Sequence, residues 1–142
     1  MSFSYHRTIY LSDTDAAGVI YFANALKICH EAYEVWLTEI GVSLPQMLVE
    51  KTMAIPIVHA DINFLRPIFC GDQLQVNLEV KLIQDNEFLI YYQIFKRESL
   101  NKPLAIAKTK HVCINPQTHN RIPLPELIIL KAGNLKPEKG SD

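Results

Sequence analysis

Residues 13 to 24 read Asp13-Thr14-Asp15-Ala16-Ala17-Gly18-Val19-Ile20-Tyr21-Phe22-Ala23-Asn24. Two carboxylates, then small residues and a glycine, lead into the strongest helical pattern of the chain. The first N–H groups of a helix have no intrahelical partner and carry partial positive charge. A carbonyl held there is polarised, while a nearby carboxylate can attack it or activate water against it. This layout suits acyl transfer without a Ser/His pair or a metal. Asp15 is the candidate catalyst; the plainer alternative is an N-cap or turn aspartate. Asp13 reads as a turn or capping residue. Phe22 offers its backbone N–H at the helix start, and its side chain reads as core or as tolerant of change. Asn24 either orients the loop or touches substrate.

Other polar residues carry weaker signals. His59 lies in an apolar strand-like stretch, where a structural histidine and a substrate contact are both readings. His6, His30, His111 and His119 form no metal-ligand spacing with a carboxylate or cysteine, so no metal is expected. Arg66, Lys96, Arg97, Lys108 and Lys110 are candidate contacts for phosphates. Lys108 and Lys110, two apart, share one face of a strand; their alternative role is to keep a sheet edge solvated. Tyr21, Tyr91 and Tyr92 could line an aromatic pocket or simply pack. The three cysteines, Cys29, Cys70 and Cys113, are odd in number and widely spaced, which argues against disulfides and zinc and for buried thiols in a reducing compartment.

The elements that must position these groups follow from periodicity. Residues 3–10 alternate as a first strand. Residues 22–40 carry an apolar stripe (Phe22, Leu26, Cys29, Tyr33, Trp36, Leu37, Ile40) at helical spacing, with Gly41 where a C-cap glycine belongs. Ser43-Leu44-Pro45 opens a short second helix through Val49. Strands are predicted near 54–65, 74–83, 87–97 and 103–114, separated by short turns. A polar turn spans 116–123, a last helical turn runs from Pro125 to Lys131, and the tail from Lys136 to Asp142 reads as frayed. The class is α+β, one five-stranded antiparallel sheet around one long helix. One helix can cover one face only, and stretches such as Ile55-Pro56-Ile57-Val58 and Phe88-Leu89-Ile90-Tyr91-Tyr92 read as buried throughout, so an obligate homo-oligomer is expected.

The chain has 142 residues, enough for one domain (1–142, ordered core about 3–131) without staples. A net charge of -1 leaves no global field toward nucleic acid or anionic membrane. No leader or spanning segment is evident, which points to the cytoplasm.

The segment from Ser12 to Asn24 resembles the D-x-D-x-x-G-(V/I)-x-(Y/F) signature of the 4-hydroxybenzoyl-CoA thioesterase type of hotdog-fold proteins. Asn63-Phe64-Leu65-Arg66-Pro67 with Gly71-Asp72-Gln73-Leu74 is similar to that family's strand–turn–strand corner. The likeness covers about residues 4 to 130. Within the family it is greatest for the branch that hydrolyses 1,4-dihydroxy-2-naphthoyl-CoA in phylloquinone biosynthesis. The resemblance implies a hotdog fold, a dimer with active sites at its interface, usually assembled as a tetramer, and a small-molecule acyl-CoA substrate. No cofactor is implied, since CoA belongs to the substrate. Carried over by position, Asp15 is the catalytic carboxylate, Phe22 the N–H donor and Gly18 the loop glycine; by their own types and places, Tyr21, Asn24, His59, Arg66, Lys108 and Lys110 are the candidate substrate contacts. Many family members have a histidine where Phe22 stands, which favours aromatic over short aliphatic acyl groups here. The basic turn that some members use for CoA phosphates reads Gln84-Asp85-Asn86-Glu87. Alternatives are a thioesterase for aliphatic acyl-CoA or acyl-carrier-protein, and a non-catalytic acyl-CoA-binding module.

Overall fold

A computed structural model describes residues 2–134 of the chain; the tail from Lys136 to Asp142 lies outside the described residues. The elements are β1 (Ser2–Thr8), α1 (Phe22–Ile40), α2 (Leu44–Glu50), β2 (Ile57–Phe64), β3 (Gln73–Gln84), β4 (Glu87–Lys96), β5 (Ala105–Val112), α3 (Glu126–Lys131) and β6 (Gly133–Asn134). The sheet order is β1-β3-β4-β5-β2, antiparallel throughout, with β6 added in parallel beside β3. This is the hotdog arrangement expected from the sequence, extended by the two-residue β6 and a 3-10 turn at Leu11–Asp13 that periodicity does not reveal.

The core forms where α1 lies against one sheet face. Alternation selects Leu74, Val76, Leu78 and Val80 from β3 and Phe88, Ile90, Tyr92 and Ile94 from β4, all buried. The register places Leu78 beside Tyr92 and Tyr92 beside Ala107. The helix contributes Ala25, Ile28, Cys29, Ala32, Tyr33, Trp36, Leu37 and Ile40. Its stripe therefore starts later than expected: Leu26 is half-buried, and Phe22 is 59% exposed because it lines the open cleft described below.

A buried hydrogen-bond chain crosses the core. Tyr92 Oη and Thr109 Oγ1 are 2.9 Å apart, and Thr109 Oγ1 is 2.8 Å from His111 Nε2. The His111 ring stacks on Phe88 at 4.7 Å and meets Tyr33 at 4.5 Å, with Nδ1 unpartnered. Burial, aided by His30, pulls its pKa down to about 3.

Three expectations are corrected. Ile57 and Val58 are 40% and 53% exposed, because β2 is the edge strand and its outer side has no neighbour in one chain. In β4, Tyr91 is exposed and Leu89 only half-buried, because alternate residues face away from the helix. Cys70 is exposed on a turn, while Cys29 and Cys113 are buried.

Candidate active site

The loop after β1 is folded by its own polar groups. Asp15 N–H donates to Val19 O at 2.9 Å, and Gly18 N–H returns to Asp15 O at 3.0 Å. The Asp15 side chain accepts from Ala17 N–H through Oδ1 at 2.8 Å. Gly18 sits at φ +82°, a left-handed conformation that lets this five-residue turn close. The turn is then clipped to the corner before β3: Ile20 N–H donates to Ile68 O at 2.8 Å, and Val19 bridges Phe69. That corner is stiffened by Asp72, whose Oδ2 accepts Phe69 N–H at 2.8 Å. The two motif segments singled out in the sequence thus meet in space.

They enclose a cleft of about 430 Å3 lined by Asp15, Val19, Ile20, Tyr21, Phe22 and residues 64–68. Its walls are mainly apolar, and the Tyr21 and Phe22 rings lie 4.9 Å apart. Asp15 is exposed to it. The α1 start opens there too. Tyr21, the N-cap residue, provides no side-chain acceptor, so Phe22 and Ala23 have no intrahelical acceptor for their N–H groups and no cap. Asn24 N–H turns back to Tyr21 O at 2.8 Å. A negative oxygen developing at this helix end is favoured by the free donors and by the helix dipole.

Asp13 is structural, as its sequence position suggests. It is buried, accepts Tyr10 N–H at 2.8 Å, and pairs with Arg7 at 2.6 Å. The hydrogen bond from Arg7 holds its carboxyl below the ordinary carboxylate range against the opposing effect of burial. Its main-chain oxygen accepts Tyr21 N–H at 2.9 Å and Asn24 Nδ2 at 3.0 Å. The Asn24 amide is thus held by the loop, the contact that its loop-orienting reading requires. Arg7 escaped the sequence reading. The available signal was its place on the Phe3-Tyr5-Arg7 face of β1, where Phe3 and Tyr5 pack against the core and a cation needs a partner.

The cleft brings together Asp15, Tyr21, Phe22 and Arg66, with Gly18 in the supporting turn. Arg66 donates to Pro103 O at 2.9 Å. It does not include His59, Lys108 or Lys110. These line a separate hollow of about 380 Å3 over β2 and β5, with Val58, Ile83 and Leu89 as its floor. Each has a carboxylate near: His59 and Lys108 lie 2.8 and 3.9 Å from Asp61, and Lys110 lies 2.6 Å from Glu87. Lys96 is 3.7 Å from Asp72. Tyr92 is buried in the core, and Tyr91 opens onto the outer sheet face. Among the described residues, no group of three His, Cys, Asp or Glu side chains is placed to hold a metal, and no helix is long and apolar enough to cross a membrane.

Comparison with known proteins agrees with this architecture. The 1,4-dihydroxy-2-naphthoyl-CoA hydrolase of Crocosphaera subtropica is 52% identical over 121 residues, 85% of this chain and 88% of that one. The protein of the same name from Gloeothece citriformis is 50% identical over 125 residues, 88% of this chain and 87% of that one. The crystal structure of a 1,4-dihydroxy-2-naphthoyl-CoA thioesterase from Synechocystis aligns with a TM-score of 0.86 at 43% identity, covering 89% of this chain and 92% of that one. Residues 9–131, which span the loop, the long helix, the corner and all but the first strand of the main sheet, match one described family, and the chain belongs to the thioesterase-like superfamily.

Proposed function

We propose that this chain hydrolyses an aromatic acyl-CoA, 1,4-dihydroxy-2-naphthoyl-CoA, to the free acid and CoA. One observation carries the reading: an exposed carboxylate, Asp15, and an uncapped helix start, at Phe22, border one apolar cleft. The acyl group lies against Tyr21 and Phe22, and its carbonyl oxygen accepts the Phe22 N–H. Asp15 either activates a water that attacks the carbonyl carbon, or attacks it itself to form an anhydride that water then cleaves; in both cases the C–S bond breaks, and CoA leaves as the thiolate and takes up the proton that the water gives up. Gly18 keeps the turn closed and Asn24 keeps it against the helix. Arg66 is the cation nearest to hand for the CoA arm. His59, Lys108 and Lys110 serve its phosphates, in competition with Asp61 and Glu87. Naphthoyl-CoA hydrolases at about half identity over most of the chain support the substrate.

The reading includes a second copy seated along β2, giving a dimer with the cleft at its interface and a tetramer built from two dimers. An unpaired edge strand carrying exposed Ile57, Val58 and Phe64, with Phe64 also in the cleft wall, supports it. Light scattering at micromolar concentration checks it, and a monomer would count against it. The enzyme acts in the cytoplasm, which suits an exposed free Cys70.

The test is thiol release from 1,4-dihydroxy-2-naphthoyl-CoA, benzoyl-CoA and palmitoyl-CoA. Naphthoyl-CoA is expected to turn over fastest, and Asp15→Asn to lower kcat about 1000-fold or more. Faster palmitoyl-CoA turnover, or an Asp15→Asn variant that retains most activity, would overturn the substrate or the catalyst respectively.

A further inference from the structure

We propose that Arg7 is a positioning residue for hydrolysis at Asp15: through Asp13 it sets the catalytic turn against the start of α1. The inference rests on the reading of Asp15 given above.

The guanidinium grips Asp13 with two nitrogens, Nη1 at 2.6 Å from Oδ2 and Nη2 at 3.2 Å from Oδ1. Such a fork fixes direction as well as distance. The two side chains are only 15% and 9% exposed. Asp13 then faces two ways. Its carboxylate is held to β1, while its main-chain oxygen takes the N–H of Tyr21 and the amide of Asn24, the cap and third residue of α1. Asp15 is two residues further along. The spacing between the catalytic carboxylate and the free N–H at Phe22 is thus set at Asp13, and Asp13 is set by Arg7.

Arg7 has a second anionic partner. Its Nε lies 2.8 Å from Glu31, in the middle of α1, and Tyr5 Oη donates to the same carboxylate at 2.8 Å. One cation therefore serves the loop through Nη1 and Nη2 and the helix body chiefly through Nε, with Nη2 also 3.5 Å from Glu31 Oε2. Without it, Asp13 and Glu31 share no counterion. The nearly dry Asp13 carboxylate then keeps only the Tyr10 N–H and no paired cation, and moves toward water. That movement would draw the Asp13 carbonyl away from Tyr21 and Asn24 and shift Asp15 from the helix start. A misplacement near 1 Å costs on the order of 100-fold in rate. The opposite cleft wall, residues 64–68, hangs on the β2–β3 corner and stays in place. The expected signature is loss of kcat with KM retained.

The experiment measures kcat and KM for 1,4-dihydroxy-2-naphthoyl-CoA in wild type, Arg7→Met, Arg7→Lys, Asp13→Asn, the Arg7→Met/Asp13→Asn double variant and Glu31→Gln, with Asp15→Asn alongside. Sites are counted by binding of a non-hydrolysable thioether analogue, so that unfolded protein does not register. Arg7→Met is expected to lower kcat about 30-fold with KM within about 3-fold of wild type. Arg7→Lys recovers part of this, since it restores charge without the fork. Asp13→Asn matches Arg7→Met, and the double variant is no slower than either, because the two residues act as one unit. Glu31→Gln loses thermal stability but keeps kcat within about 2-fold, since its bond holds the helix body and not the loop. Wild-type kcat per site in Arg7→Met overturns the inference, as does a Glu31→Gln variant as slow as Arg7→Met. Should Arg7→Met fail to fold, wild-type kcat in Asp13→Asn overturns it equally. Wild-type protein that releases no thiol overturns the functional reading and takes this inference with it.

Discussion

At its C-terminal end α1 closes on Gly41 at φ +98°, whose N–H reaches Leu37 O and Thr38 O, while Val42 N–H also returns to Leu37 O at 2.9 Å. At its N-terminal end Tyr21 offers no side-chain acceptor, and Tyr21 and Phe22 line the cleft. The same chain caps α2 conventionally, with the Ser43 hydroxyl accepting Gln46 N–H at 3.2 Å. Capping chemistry is therefore available to this fold, and the long helix goes without it, as does the short α3 behind Pro125. An N-cap serine or aspartate contributes about 1 kcal/mol. Leaving it out where Asp15 stands is the kind of local rule-breaking expected of a working site.

The contrast can be broken at the open end first. Tyr21→Asp supplies the missing cap, so the melting temperature should rise, by the equivalent of about 1 kcal/mol. The same carboxylate would occupy the free donors and repel a developing oxyanion, and kcat should fall about 30-fold. Tyr21→Ala, which removes the ring and leaves the end open, separates the two effects; equal losses in both variants would show that the cap is irrelevant. Next comes the buried flank of the helix, where Tyr33 meets His111. The His111 pKa is about 3 in the folded chain, against roughly 6.5 when unfolded. Between those values the unfolded chain binds the extra proton, so stability is complete above pH 6.5 and declines as the pH drops toward 3. The loss is about 2 kcal/mol at pH 5. Urea denaturation at pH 7.5 and 5 measures it, and His111→Gln should flatten the difference. The smallest effect belongs to the closed end. Gly41→Ala forces a side chain into the left-handed region with Leu127 Cδ1 at 3.4 Å, and should cost about 1 kcal/mol of stability while leaving kcat per folded site unchanged.

How much of this was legible in the sequence differs along the same helix. The bounds 22–40 and the terminal glycine were readable, because an apolar period of 3.6 and a left-handed cap are local properties. The Asp13–Asn24 loop and the Asn63–Pro67 corner were each readable as a motif through resemblance, but that the two meet was not. What escaped was set by distant partners. Arg7 alternates like any strand residue, and nothing local announces that Asp13 and Glu31 will converge on it. Phe22 continues the apolar stripe by spacing, yet it lines the open cleft instead of the core. Ile57 and Val58 look like core because they are apolar, and only the strand order shows them on a free edge. Lys108 and Lys110 were read as sharing one strand face, but that His59 joins them, opposite Lys110 where β2 pairs with β5, and that their hollow is not the cleft, needed the strand order.

The Ala17 N–H that holds Asp15 Oδ1 at 2.8 Å has a consequence for oxygen bookkeeping. An unrestrained carboxylate exchanges its two oxygens by rotation and remembers neither. Here one is tethered to the turn and the other is not, so the group is desymmetrised before substrate arrives. If Asp15 acts as a nucleophile, the untethered oxygen forms the anhydride, and cleavage by water at the aspartyl carbon would leave one heavy oxygen on the protein after a single turnover in H2(18)O. If Asp15 activates water, the label goes to the released acid alone. Mass spectrometry of the peptide carrying residue 15 would read that isotopic memory directly.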